Sequence, residues 1–396
     1  MTEPAAAGQS TPRAFLRVGG ATLARHQLGI ALALECGRVI CVAREVTQDL
    51  IALQHDAERA GVRLNVVAGA RALAGLITAN DEVIVLSEGL LAAPHDAVSL
   101  LENGHSVLVQ PIESGLAAGF ERIDINHAAA GALRIPGRLV EGLAELPSDC
   151  DIASALTRIA LQAGISLLPV PAAAREGVRW RLVRDETEAH AIEGPWIRLH
   201  MGEHALPTPG ILLARWSVLA VGPSLLHAGS GWKLVALGAI AVMLLAFGAG
   251  WLGFTGTALW LCALAWIVRR AAGLLERIGD DSLALRRAAI SSEQVLGWLL
   301  DLELIAILVW NASGGVDDPL VARTFAPVML IGLVRLLPRV LLRGWIAWLE
   351  DRALLALLLG VAAALGVATV AVQLSAIALI AAALLLTVGK SQITRA

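Results

Sequence analysis

The stretch LVALGAIAVMLLAFGAGWL, residues Leu234–Leu252, carries no charge along its whole length. As one helix it is long enough to fill the roughly 30 Å hydrocarbon core of a bilayer, which takes about 20 apolar residues. Working outward, five further largely apolar stretches follow: Thr257–Leu275, Gln294–Trp310, Val321–Leu341, Ala353–Val372 and Ser375–Val388. Six spans are therefore expected. Pro327, Arg335 and Pro338 predict a kinked fourth span that leaves the hydrocarbon before Arg343. The whole chain fits this reading, because 57% of its 396 residues are hydrophobic, 16% are charged and its mean hydropathy is +0.69. Such a balance is too apolar for an ordinary soluble enzyme of this size.

Charge divides the chain in two. Residues 1–208 hold 17 arginines against 24 acidic residues, and residues 209–396 hold 14 basic against 10 acidic, so the halves carry −7 and +4 within a total of −3. Only Lys233 and Lys390 are lysines, and no basic run with interleaved aromatics occurs, which argues against nucleic-acid binding. Cys36, Cys41, Cys150 and Cys262 are scattered, without a CxxC pair or histidines at metal-ligand spacing. The nine histidines have no serine or cysteine at a nucleophile-motif spacing.

Before the spans, short β-rich runs alternate with helical stretches. Strands are expected at Arg38–Ala43, Val62–Val67, Glu82–Leu86, Ser106–Gln110, Phe120–Ile125, Ser166–Val170 and Val178–Val183. Helices are expected at Ala21–Leu34, Val46–Ala60, Ala97–Glu102 and Asp151–Ala163, giving an open, mostly parallel α/β sheet. Residues 1–12 read as a disordered tail without a signal peptide, 13–205 as the α/β domain, 206–230 as a proline-marked linker with an interfacial helix, and 231–396 as the all-α membrane domain. Arginines gather between spans two and three (Arg269, Arg270, Arg277, Arg286, Arg287) and between four and five (Arg339, Arg343, Arg352). The opposite connections, Gly253–Gly256, Asn311–Pro319 and Gln373–Leu374, contain none. The positive-inside rule then puts both termini and the α/β domain in the cytosol of a bacterial-type inner membrane.

Five segments carry a family likeness. RVGGATLARHQLGIALALECG (Arg17–Gly37), VIVLSEGLL (Val83–Leu91) and VRDETEAHAIE (Val183–Glu193) lie in the α/β half. WIVRRAAGLLERIG (Trp266–Gly279) and GWLLDLELIAI (Gly297–Ile307) lie in the membrane half. Together with the layout, they resemble the bifunctional enzymes that fuse an inositol-phosphate cytidylyltransferase-like nucleotidyltransferase to a CDP-alcohol phosphotransferase.

The resemblance implies a site in each half, and the residues of both are altered. In the first, Glu88 stands where the family has a metal-binding aspartate, the phosphate-binding loop is missing, and no lysine occurs before Lys233. In the second, the family's DxxDGxxAR and GxxxDxxxD segments aim four carboxylates into one cavity. Helical spacing does this, and the acids hold divalent metals and activate the acceptor hydroxyl. Here Gly273, Arg277, Gly297 and Asp301 match, whereas Arg269, Ala272 and Ile305 replace three of the acids. Both active sites are thus expected to be degenerate, with no metal and no cofactor.

The expected role is non-catalytic. The chain would bind or position a membrane lipid, an activated headgroup or a partner enzyme in phospholipid or glycolipid synthesis, as a homodimer or beside an active transferase relative. The alternatives are an active CDP-alcohol phosphotransferase drawing acids from Asp280, Asp281 and Asp301, and, third, a small-molecule transporter. Asp301 is expected to pair with Arg269 or Arg270, because an uncompensated carboxylate at membrane depth is costly.

Overall fold

The computed structural model describes residues 1, 3–5, 11–147, 150–201, 208–227, 231–281, 291–312, 320–340 and 348–391. Arg286, Arg287, Arg343, His204 and most of the connection Asn311–Pro319 lie outside them. The chain divides into two compact units, one built on Met1–His200 and one on the long helices that follow.

The first unit is α/β. A tight antiparallel pair, β1 (Arg17–Val18) and β2 (Ala21–Thr22), leads into α1 (Leu23–Ala33), β3 (Arg38–Val42), α2 (Gln48–Arg59), β4 (Arg63–Val67) and α3 (Ala70–Ala74). Next come β5 (Glu82–Leu86), β6 (Leu90–Ala92), α4 (Pro94–Leu101), β7 (Ser106–Pro111), α5 (Ile112–Ala117) and β8 (His127–Pro136). The unit closes with α6 (Ile152–Gln162), β9 (Leu167–Pro169), α7 (Ala172–Arg175), β10 (Trp180–Leu182) and α8 (Glu186–His200). Side-chain caps start several helices where the sequence supplies them. Thr22 accepts from the Arg25 amide, Thr47 from Leu50, and Asp151 from Ala153 and Ser154.

The sheet is not mostly parallel. Its four-stranded part has the order β5-β8-β7-β9, and β8 runs antiparallel to both neighbours, while β3 and β4 form a separate parallel pair. No strand forms over the expected Phe120–Ile125, because the Asp124 carboxylate accepts the Asn126 and His127 amides and turns the chain. The strand comes just after it, in the alanine-rich run of β8, whose small side chains permit close cover. A Cβ on Gly115 of α5 would lie 2.3 Å from that of Ala128. Gly131 has φ +76° in β8, between the two stretches whose pairing with β7 shifts register. The expected disordered tail also needs correction for its described part. The Ala5 amide donates to the Thr11 carbonyl oxygen at 2.9 Å, the Arg13 amide donates to that of Glu3 at 2.9 Å, and Pro4 bridges Pro12.

The second unit is all-α: α9 (Pro209–His227), α10 (Gly231–Trp251), α11 (Thr255–Asp281), α12 (Ser292–Trp310), α13 (Leu320–Val340), α14 (Arg352–Ala364) and α15 (Ala368–Ser391). Among the described residues, four helices are long and apolar enough to cross a membrane, over Gly231–Trp251, Thr255–Gly279, Val321–Arg339 and Ala368–Leu385. The core forms around α11, where Leu259, Cys262, Ala263 and Trp266 pack with Leu304 and Ile307 of α12 and Leu330 of α13. Leucines on α10 and α15 such as Leu237, Leu244, Leu374 and Leu384 face outward, as a lipid-facing surface requires. Gly360 of α14 sits against Trp260 of α11, where a Cβ would meet the indole ring at 2.4 Å, so small residues set this contact.

The last two expected spans divide elsewhere. The break falls at Leu365–Val367, where Gly366 takes φ +74° and ends α14, and Gln373–Leu374 lies inside α15 with both side chains exposed. At about 1.5 Å per residue, α14 is roughly 20 Å long.

His26 of α1 provides a test of the first unit. It is buried edge-on against Trp196, 5.2 Å between centroids, and its Nε2 lies 2.9 Å from the Val18 carbonyl oxygen. Burial pulls its pKa from 6.5 down to about 4. Between those values the unfolded chain binds the extra proton and the folded one does not. Stability should therefore fall on acidification from about pH 6.5 to about pH 4, by on the order of 1.4 kcal/mol per pH unit. Urea unfolding at several pH values should record this slope for the native chain, and His26→Gln should flatten it.

Candidate functional site

The charges of the membrane unit meet where α11, α12, α13 and α14 pack. Each is positioned by an ordinary local device. A capping box between Ser291 and Gln294 starts α12, and Asp351 starts α14 by accepting the Ala353 and Leu354 amides. The other oxygen of Asp351 accepts the Gly210 amide at 2.7 Å, tying α9 to α14.

Between α11 and α12 two interlocks form. The Arg269 guanidinium donates to the Glu293 backbone oxygen at 2.7 Å, and Arg270 pairs with the Glu293 carboxylate. Two of the motif glycines make room for them. A Cβ on Gly273 would lie 2.7 Å from the Glu293 carboxyl carbon, and one on Gly297 would lie 3.0 Å from an Arg269 nitrogen. Gly273 and Gly297 thus have a packing reason that needs no catalysis.

Asp301 behaves differently from expectation. Its partners are Arg335 on α13, bonded to one carboxylate oxygen, and Arg352 on α14, whose Nε lies 3.2 Å from the other. Asp301 and Arg352 are 6% and 8% exposed, whereas the Arg335 side chain is 31% exposed, so a buried pair is joined by a half-buried third charge. The pairing with Arg269 or Arg270 is replaced because Glu293, in the first turn of α12, already engages both of those arginines. Arg335 was recognisable as a charge in an otherwise apolar span, which marks a functional or structural site by default. Its partner was not, because helix order around α12 is invisible in the sequence.

The other motif positions do not converge on this triad. Ala272 is buried on α11, Ile305 packs against the apolar core, and Arg277 lies partly buried further along α11. Asp280 and Asp281 fall at the C-terminal end of α11. Glu303, two residues from Asp301, is buried towards Phe247 of α10 and away from the triad. A divalent metal pair does not fit here. Arginine, alanine and isoleucine cannot ligate one in the three altered positions, and both oxygens of Asp301 are held by guanidiniums. Among the described residues, no three His, Cys, Asp or Glu side chains come together as a metal site.

In the first unit Glu88 follows β5 and is nearly buried. Its oxygens accept the Glu3 and Ala14 amides at 3.1 and 3.3 Å, and one lies 3.2 Å from the Met1 ammonium. Glu88 is thus occupied in fixing the N-terminal segment. Burial pushes the nearby Cys41 thiol up to about 11, which leaves it unreactive at neutral pH.

In comparison with known proteins, no family model matches the chain and no curated protein matches its sequence.

The triad gives a direct stability test. Asp301→Leu strands the buried Arg352 guanidinium and should cost about 3 kcal/mol, the half-buried Arg335 adding little. Replacing all three charges by apolar residues, as in Asp301→Leu with Arg335→Leu and Arg352→Met, should recover most of that loss, because the desolvation penalty leaves with the charges. Thermal denaturation of the detergent-solubilised variants measures the difference.

Proposed function

We propose that this chain is a non-catalytic relative of the fused enzymes it resembles, holding an anionic lipid or activated headgroup in phospholipid or glycolipid synthesis. Its nucleotidyltransferase-like domain and both termini lie in the cytosol, on a six-span body of CDP-alcohol phosphotransferase type in a bacterial-type inner membrane. α12 and the short α14 supply the two spans beyond the four long ones. The body works as a homodimer or beside an active relative.

One observation carries this reading: Asp301, the acid that matches the motif, is bridged by Arg335 and Arg352. The site therefore presents fixed arginine charge where the related enzymes need carboxylates and metal. Guanidinium groups suit phosphate through paired hydrogen bonds, and unlike a metal they do not create a nucleophile. An apolar cavity of about 280 Å³ supports a lipid as the ligand. It is lined by Leu330 and Val334 of α13, Leu355 and Leu358 of α14, and Leu379 of α15, with Asp351 at its wall.

Binding and catalysis are separable by experiment. Protein reconstituted in phosphatidylcholine nanodiscs should gain thermal stability when phosphatidic acid is added. Arg335→Gln should weaken the effect about tenfold, or roughly 1.4 kcal/mol. Exchange of labelled CMP with a CDP-alcohol in the presence of Mg²⁺ should stay at background. Exchange above background that Asp301→Asn abolishes would instead establish an active transferase.

A further inference from the structure

The α/β unit contains a cavity of about 730 Å³, within the range that takes a drug-sized molecule, and none of the interactions above accounts for it. Its interior is aliphatic. Val39 and Cys41 of β3 belong to one apolar core and Ile40 and Val42 to another, and all four line the cavity. Leu28 of α1, Leu156 of α6 and the strand residues Val83–Leu86 of β5 complete the apolar wall.

The rest of the lining is charged, and nearly all of that charge is already used by the fold. Glu3 pairs with Arg13, and Asp81 accepts the Thr78 amide at 2.8 Å with Arg38 at 3.5 Å. Glu82 lies 2.9 Å from His105 and 3.2 Å from Arg134. Glu88 holds the Glu3 and Ala14 amides, and Asp151 caps α6. Each of the five carboxylates on the wall is therefore engaged.

Arg44 is the exception. It follows β3 by two residues, is exposed where it lines the cavity, and its guanidinium has no partner among the described residues. Ala68 and Gly69, just past the end of β4, also line the cavity. The carboxyl ends of the parallel pair β3 and β4 thus open into it, which is where open α/β sheets take their ligands.

This lining restricts the occupant. One free guanidinium compensates one negative charge, and a planar carboxylate meets it through paired hydrogen bonds. A phosphate monoester brings about −1.5 to −2 at neutral pH, and a nucleoside triphosphate more, beside a wall that holds five carboxylates. No phenylalanine or tryptophan is among the lining residues, so a flat base finds no ring to stack on. An aliphatic body needs no such partner, because burial alone favours it.

We propose that the cavity binds an aliphatic carboxylate, with its chain against β3 and β5 and its carboxylate on Arg44. The mixed lining is then explained by the two ends of one amphipathic molecule. Nothing in this site depends on the lipid reading of the membrane unit.

Octanoate is the probe, titrated onto the full chain in phosphatidylcholine nanodiscs, with hydrogen exchange read at the amides of Val39–Val42 and Val83–Leu86. At saturation, exchange at both strands should slow by about tenfold or more. Arg44→Gln should raise the octanoate concentration for half-protection about tenfold, and Arg44→Lys, which keeps the charge, should raise it less. Octyltrimethylammonium enters the same bilayers with the opposite charge and should leave exchange unchanged. Absence of protection by octanoate would overturn the proposal, as would equal affinity in Arg44→Gln or equal protection by the cationic probe. Protection by CTP without protection by octanoate would mark a nucleotide site and overturn it too. All of these outcomes are read in the α/β unit and leave the phosphatidic acid test of the membrane unit unaffected.

Discussion

Asp301, a carboxylate carried into an apolar helical body, is compensated by two neighbouring positive charges, and that pairing organises the membrane unit. Asp301 is met from two further helices, by Arg335 on α13 and Arg352 on α14. Three helices are thereby tied to one point, and loss of either contact weakens the compensation of the buried Asp301 carboxylate. Asp351, beside Arg352, extends the same constraint by capping α14 and holding the Gly210 amide of α9. The Arg269, Arg270 and Glu293 contacts then set how closely α11 and α12 approach, with Gly273 and Gly297 providing the space.

The same logic recurs at Glu88 in the α/β unit. A nearly buried acid there is satisfied by two backbone amides and the Met1 ammonium, so its charge secures a segment of chain. In both units, acids at the positions that the family likeness marks as metal-binding are used by the fold itself. A carboxylate whose lone pairs are already taken has little left to offer a metal.

Much of the fold was legible because it rests on local signals. The alternation of strand runs such as EVIVL with helical stretches and the uncharged run at Leu234–Leu252 are readable without tertiary context. Central strand β8 was missed because its alanine run has helical propensity and only burial between two strands makes it extended. The break between α14 and α15 was misplaced because a polar Gln373 outweighed Gly366, whose positive φ ends the helix. At the site, Arg269 and Asp301 were visible as departures from and survivors of a motif. Their partners were not, since Arg335 and Arg352 lie 34 and 51 residues from Asp301 and meet it only through helix packing.

The most direct test of this account is an experimental density map of the protein purified in native lipid with Mg²⁺ present. The account predicts the Asp301 carboxylate within hydrogen-bond reach of both the Arg335 and Arg352 guanidiniums, with an anionic headgroup against the arginines. A map showing Asp301 ligating Mg²⁺, with either arginine turned away, would contradict it.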